Sequence, residues 1–595
     1  MASKSFVKSW GAEYVAAGTV RFRLWATGQD QVVLRLAGKE TAMRQSGDGW
    51  FGLQVDNVLP GAEYNFVLAD GTVVPDPASR AQKADVNGPS LVVDPGRYTW
   101  QNTAWRGRPW EETVVYELHI GTFTPEGTFQ AAIEKLPWLA ELGITMIEVM
   151  PLSQFGGNRG WGYDGVLLYA PHSAYGTPDE FKAFVDAAHD HGLSVVLDIV
   201  LNHFGPEGNY LPLLAPDFFH KERMTPWGAG IAYDVDAARR YIVEAPLYWL
   251  KEFNLDGLRF DAIDQIEDIS DKHVLTEIAE RIRAEITDRP VHLTTEDSRN
   301  VIFLHPREED GAVPLFTGEW NDDFHNAVHV FATGETHAYY NDFAQQPEKL
   351  IARILTEGFA YQGEISSQTG EKRGVNSRHQ PPVAFVDFIQ NHDQVGNRAQ
   401  GERLIELAGA DRTKVLLAAL LFSPHIPLLF MGEEYGETNP FLFFTDFHGD
   451  LAKAVREGRA REFAGHAGHE GESVPDPNAE STFELSKLDW KKLESDEGKA
   501  WLTLTKTLLA LRKQHIVPLL ASAAGNSGTV VKTAQGFFAV SWTFPQGTLS
   551  IALNIDATTQ PLPDQPGETI FSWPQGIRDL PQHSVIVRLA PGETQ

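Results

Sequence analysis

Gly257-Leu258-Arg259-Phe260-Asp261-Ala262-Ile263-Asp264 reads as an apolar strand that ends in a charged pair. Alternate residues of a strand share a face, so Arg259 and Asp261 lie on the same side, two positions apart. A carboxylate held beside a guanidinium stays ionised, which makes it a poor proton donor and a good nucleophile toward an electron-poor carbon. Taken alone, the same pair also describes a structural ion pair at a strand end.

Two similar strand ends follow. His292-Leu293-Thr294-Thr295-Glu296-Asp297 brings Glu296 35 residues after Asp261 (296 − 261), and the run from Val383 to Asp393 brings a third acid. Acids at the carboxyl ends of three strands converge only where those strands share one barrel mouth. Working outward, apolar strand runs at 114–120, 144–150, 195–201, 257–263, 292–296, 316–320, 383–389 and 426–431 alternate with helical patterns. The helical patterns fall at 129–142, 178–191, 237–253, 274–286, 324–331, 347–357, 412–422 and 499–514. Eight strands, each with its helix, predict a (β/α)8 TIM barrel over 101–516.

Around the barrel the period changes. Short alternating runs at 19–25, 31–36, 50–55 and 63–68 predict an N-terminal β-sandwich over 1–100, of the carbohydrate-binding type, with 106–110 as the linker. Trp25 and Trp50 read as core packing in preference to sugar platforms. Runs at 528–532, 537–544, 549–555 and 584–589 predict a small C-terminal β-sandwich over 517–595. Two connections are long: 202–236, which shows no clear secondary structure, and the excursion 432–497. Loops of that length in compact domains are usually functional, and Tyr210, Phe218, Phe219 and Trp227 make the first a wall of the cleft.

A chain of 595 residues is too long for one core. Its formal charge of −30 repels nucleic acid and anionic membrane, so neither is expected as a partner. There is no cysteine, which excludes disulfides and thiolate metal sites. The first ten residues lack an apolar signal core and no run approaches membrane-spanning length, so a soluble, cytoplasmic protein is the expectation.

A barrel mouth with three acids, Arg259, His203 and His392 allows two chemistries. One is glycoside hydrolysis, in which a carboxylate and a protonated carboxyl stand about 5–5.5 Å apart when configuration is retained. The other is a divalent metal site with Asp198, His203, Asp261, Glu296 and Asp393 as ligands. Phe155, Trp161, Tyr163, Trp227, Trp320 and Tyr361 on loop segments after the strands favour a saccharide, because sugar rings stack their C–H faces on aromatic rings.

These residues resemble the α-amylase superfamily of retaining glycosidases over nearly the whole chain. The resemblance rests on Asp198-Ile199-Val200-Leu201-Asn202-His203, Gly257-Leu258-Arg259-Phe260-Asp261, Thr295-Glu296-Asp297 and Ile389-Gln390-Asn391-His392-Asp393. It implies that Asp261 is the nucleophile, Glu296 the acid/base, and Asp393 the residue that grips sugar hydroxyls. Arg259, His203 and His392 would line the same subsite, with Tyr163 as stacking platform, and Asp164 and Gln394 beside them. Within the superfamily the chain is most similar to the maltooligosyltrehalose trehalohydrolase family, through Glu296-Asp297-Ser298-Arg299-Asn300, the run Trp320 to Ala327, the run Gln390 to Arg398, and Ser486-Lys487-Leu488-Asp489-Trp490. The partners implied are maltooligosyl trehalose and related α-glucans.

The nearest rival is glycogen branching enzyme, whose Ser-His-Asp-Glu is here Asn391-His392-Asp393-Gln394; another α-amylase-type glucan hydrolase is a further alternative. Asp297, Arg299, Asn300, Asn321, Asp322 and Asp323, at loop ends near Glu296, are candidates for recognising trehalose. The superfamily often binds calcium near Asn202, but the acids to complete such a site are not evident. No metal and no cofactor are expected.

Overall fold

A computed structural model describes residues 7–309, 311–463 and 474–592. Its centre is a closed ring of eight parallel strands: Val115–Leu118, Met146–Val149, Ser194–Ile199, Gly257–Phe260, His292–Thr295, Gly318–Trp320, Phe385–Asp387 and Ile426–Phe430. The first and last strands pair directly, Val115 opposite Leu428, which closes the barrel. All eight predicted runs are present, and several extend past the hydrogen-bonded ladder. Asp261 and Glu296 lie just beyond their strands, their N–H groups still donating to the Ile199 and Phe260 carbonyls of the neighbouring strands at 3.1 Å, and their side chains meet the mouth. Gly257 opens the fourth strand because nothing larger fits: a Cβ there would lie 2.1 Å from the His292 carbonyl oxygen of the neighbouring strand.

The helices follow their capping signals. Pro178–Asp190 begins with Thr177 and Glu180 bonded reciprocally as a capping box, with proline in the first turn. The pattern at 129–142 is two helices, Phe129–Ile133 and Leu136–Leu142, because Pro137 has no N–H to continue the first and suits the first turn of the second. The pattern at 324–331 is the longer helix Asp322–Thr333, preceded by Asn321, whose side chain makes no capping bond, so Asp322 and Asp323 belong to its first turn.

The connection 202–236 carries secondary structure, contrary to its reading from sequence. Leu211–Leu214 is a short helix, and Phe219–Thr225 pairs antiparallel with Gly228–Ile231. Thr225-Pro226-Trp227-Gly228 is the turn of that hairpin, with Gly228 at φ 132°. The excursion 432–497 holds the helix Gly449–Phe463.

The N-terminal domain has two antiparallel sheets: Gly11–Ala16, Thr19–Trp25, Trp50–Val55 and Arg44–Gln45 in one, and strands from Val32–Leu36 to Ser90–Leu91 in the other. Trp25 is core, as expected, and half-buried Trp50 packs against that core. Trp10 joins this domain to the barrel, edge-on to Phe218 and Tyr241. The C-terminal domain is a five-stranded antiparallel sheet beside a two-stranded one, and its strand Glu568–Trp573 was not legible from sequence. That sheet packs on the barrel helices, where Trp542 Nε1 donates to the Leu355 carbonyl at 2.8 Å.

Candidate active site

Arg259 is the hub. Its guanidinium is fully buried, lies 4.0 Å over the Trp320 ring, and divides its nitrogens among three acids. Nη1 bonds Asp198 and donates to Asp261 Oδ1 at 3.1 Å, while Nη2 donates to Glu296 Oε2 at 2.7 Å. Asp261 and Glu296 are therefore spaced by one rigid planar group. Ala262, next to Asp261, takes a left-handed backbone at φ 40°, and its N–H donates to Glu296 Oε2 at 3.0 Å. Such a conformation costs energy in a residue with a Cβ and persists where the surroundings impose it. Glu296 thus has one oxygen fixed twice, leaving Oε1 to carry a proton.

Burial pushes both Asp261 and Glu296 up from their ordinary values, Arg259 pulls both back, and Asp261 raises Glu296 further. The pull of Arg259 expected from sequence is present, but burial is the larger influence on Asp261. Asn202 contributes too, its Nδ2 donating to the Asp261 backbone oxygen at 3.0 Å and to Oδ2 at 3.4 Å.

Asp393 comes from the short helix His392–Gly396, which starts where the Asn391 side chain accepts from Asp393 N and Gln394 N at 2.9 and 3.3 Å. Its carboxylate is the most open of the three at 40% exposure. Asn397 Nδ2 donates to it at 3.1 Å. Tyr163 stacks on His392 at 5.1 Å and donates to Asp198 at 2.6 Å. His203 is neutral, its pKa lowered to about 4 by burial. Both its ring nitrogens lie against acceptor oxygens inside the protein, Nδ1 against Asn202 Oδ1 and Nε2 against the Tyr163 carbonyl, so the neutral ring donates to one of them, and Trp227 stacks on its face at 4.2 Å.

The remaining candidates divide. Asn321 is fully buried and donates to Asp387 at 2.8 Å and to the Gly358 carbonyl at 3.0 Å. Asp323, equally buried, accepts from Arg373, Asn300, Ala360 and Tyr361. Both hold the loops together, since a loop end read from sequence is here the first turn of a helix. Asp297 is clamped by three donors of Arg299 at 2.9, 2.8 and 2.6 Å. Asp322 and Gln394 face each other at 3.2 Å, and Gln394 Oε1 has no partner. Burial pushes Asp322 up to about 8, reinforced by Glu296 and Asp393. Asp164 rises to about 6 through burial.

Of the six loop aromatics, Phe155, Trp161 and Trp320 are buried, and Tyr361 donates to the Asp342 carbonyl. Trp227 is 48% exposed. The ring collection thus mostly supports the mouth from behind. Sequence reading passed over Glu117 and Glu148, which stand opposite each other in the first two strands, both buried. A lone acid inside an apolar strand was the available signal, because a buried charge demands a partner.

The ligand set of the metal alternative is occupied by protein: Arg259 sits among Asp198, Asp261 and Glu296. Asn202, at the superfamily's calcium position, has its amide on Asp261 and Ala262 and its oxygen on His203. These residues do not fit a cation. Among the described residues no helix is long and apolar enough to cross a membrane.

The catalytic-domain profile of the α-amylase family matches residues 79–212 and 219–517. A malto-oligosyltrehalose trehalohydrolase from Deinococcus radiodurans is 43% identical over 548 residues, covering 90% of this chain and 89% of that one. Its counterpart from Saccharolobus solfataricus is 41% identical, covering 87% and 89%. A crystal structure from Salmonella typhimurium, described as a candidate α-amylase, superposes with a TM-score of 0.97 at 77% identity, covering 98% of this chain and 100% of that one. The chain belongs to the α-amylase family of glycoside hydrolases, in its malto-oligosyltrehalose trehalohydrolase group.

Proposed function

We propose that the enzyme cleaves the α-1,4-glucosidic bond next to the terminal trehalose of maltooligosyl trehalose, releasing trehalose and a maltooligosaccharide. The observation that carries the chemistry is the fork of Arg259, which fixes Asp261 and Glu296 in one frame. The choice of substrate rests on the full-length relatives named for that reaction.

In the first step Glu296 Oε1 gives its proton to the glycosidic oxygen while Asp261 attacks the anomeric carbon, forming a glycosyl-enzyme and freeing trehalose. Glu296, now ionised, takes a proton from water, which displaces Asp261 and leaves the product in the α configuration. Asp393 and His392 bind hydroxyls of the sugar under attack, with Tyr163 beneath its ring. Asp322, Gln394 and Arg299 meet the trehalose side. A protonated Asp322 donates and Gln394 Oε1 accepts, so a leaving group with the wrong hydroxyl pattern strands buried polar groups.

Product analysis tests the proposal. The purified enzyme should release free trehalose from maltotriosyl trehalose and leave maltopentaose nearly intact. Comparable cleavage of both would make it a general glucan hydrolase, and new α-1,6 branches on longer glucan would make it a branching enzyme.

A further inference from the structure

The two-step hydrolysis leaves Glu117 without a task, yet this acid is buried in the first barrel strand. Its Oε2 accepts from the backbone N–H of His392 at 3.0 Å, and its Oε1 bonds Nδ1 of the same residue. Both oxygens of one carboxylate are thus committed to a single histidine, one to its backbone and one to its ring. Bonding to a carboxylate requires a proton on Nδ1, which directs any second proton to Nε2. Nε2 stands 3.6 Å from Asp393 Oδ1. The ring has no freedom to turn: Tyr163 stacks on it at 5.1 Å with 20° between planes, and Trp161 meets it edge-on at 5.6 Å.

We propose that Glu117 is a positioning residue that holds His392 as an imidazolium and presents its Nε2–H to Asp393 and to the sugar hydroxyl bound there. The charge works twice. It keeps Asp393 ionised in a site crowded with acids, and it makes the bond to the hydroxyl charge-assisted. Glu117 touches neither substrate nor reacting atoms.

The surroundings agree. Burial alone would drive His392 toward the neutral form, and Glu117 and Asp393 reverse this, raising its pKa to about 9. Glu148, Asp198, Asp261 and Glu296 also feel its charge. Arg259 opposes it, and His119, whose own pKa burial lowers to about 3, faces it without charge. The uncharged phenol of Tyr163 completes the group facing it.

The inference rests on the hydrolytic reading above, and its test separates the two. The ring of His392 is followed by NMR titration of the full-length enzyme without substrate, assigned by its absence in His392→Gln. A midpoint near 9 is expected in the wild type, and a drop toward the ordinary histidine value of about 6.5 in Glu117→Gln. If only the charged ring is competent, kcat/KM of Glu117→Gln for maltotriosyl trehalose should be near that of the wild type at about pH 6 and roughly thirtyfold lower at about pH 8. A variant-to-wild-type ratio that is flat across pH would leave Glu117 a merely structural part and overturn the proposal. So would a wild-type ring that titrates near 6.5, and this measurement decides the matter even if Glu117→Gln does not fold. Failure of trehalose release by the wild type would overturn the hydrolytic reading and leave the titration interpretable.

Discussion

Arg259→Lys keeps the positive charge and removes the fork. The wild-type guanidinium serves Asp198 and Asp261 through Nη1 and Glu296 through Nη2. A lysine offers one ammonium, on a stem one atom shorter, and so cannot hold Asp261 and Glu296 at a fixed spacing. Each charge-assisted hydrogen bond lost is worth about 1.5–3 kcal/mol, so losing two removes about 3–6 kcal/mol. The retained charge offsets part of this, placing the expected loss of stability at about 3 kcal/mol, the lower end for breaking a buried pair. Misplacement of the two carboxyls by about 1 Å should lower kcat about a hundredfold.

The pH profile should move as well. Arg259 pulls the Asp261 pKa down against burial, so a weaker partner leaves Asp261 protonated to higher pH. The acid limb of kcat/KM therefore shifts upward. The assays are urea unfolding of both proteins and trehalose release across the pH range. A lysine variant that is folded, keeps kcat within about threefold and shows an unmoved acid limb would refute the claim that the fork sets the catalytic spacing.

Asp261→Asn should abolish trehalose release while leaving the urea midpoint near that of the wild type; appreciable turnover would remove Asp261 as nucleophile. Asp322→Ala should lower kcat/KM for maltotriosyl trehalose about 10- to 100-fold and affect plain maltooligosaccharides less, and equal losses on both would take Asp322 out of recognition. Dialysis against a chelator should leave activity unchanged, since Asn202 is spent on protein; a loss restored by added calcium would contradict this. At the closed end of the barrel, Asp256 accepts from His189, Trp105 and Val195 N at 2.8, 2.7 and 2.8 Å, which outweighs burial and lowers its pKa. A lowered folded value means stability that is present above the unfolded pKa of about 4 and lost as pH falls through the folded value. Asp256→Asn should therefore cost about 2–4 kcal/mol at neutral pH, with the gap closing in acid during urea titrations.

How far the sequence reaches differs by residue for physical reasons. The meeting of Asp261 and Glu296 around Arg259 was legible because each ends a strand whose apolar run is unmistakable, and a strand end in a barrel has one place to point. Asn321 and Asp323 were not, because their roles depend on partners far along the chain: Asp387 and Gly358 for one, Arg373 and Ala360 for the other. The hairpin after the third strand escaped notice because Phe219–Thr225 and Gly228–Ile231 carry little of the β-branched alternation that marks strands. Aromatic residues misled in the other direction. Trp161 and Trp320 sit on loop sides of strands, yet Trp161 donates to the Leu442 carbonyl and Trp320 underlies Arg259, so both stiffen the mouth instead of lining it.

On the hydrolytic reading, the acids around Arg259 also account for a general acid that stays protonated at neutral pH. Glu117, Glu148, Asp198, Asp261, Glu296, Asp322 and Asp393 share the mouth with Arg259 and His392, and Arg373 acts on Asp322. Seven negative charges against three positive ones in a buried space are not sustainable, so some of the acids must hold protons. Burial pushes Asp198 up to about 7 and Asp322 to about 8, and drives Glu148, which has no partner for Oε1, well above the carboxylate range. Glu296 sits within this proton-rich set with Asp261 as its charged neighbour, which raises it further. Asp261 is bonded to Arg259 and Asn202, and both pull its pKa back down against burial. On the hydrolytic reading the two carboxyls, which accept two donors each, are told apart by the charge of Asp261, which raises Glu296. Replacing any one of the buried acids beneath them should shift both limbs of the pH profile together.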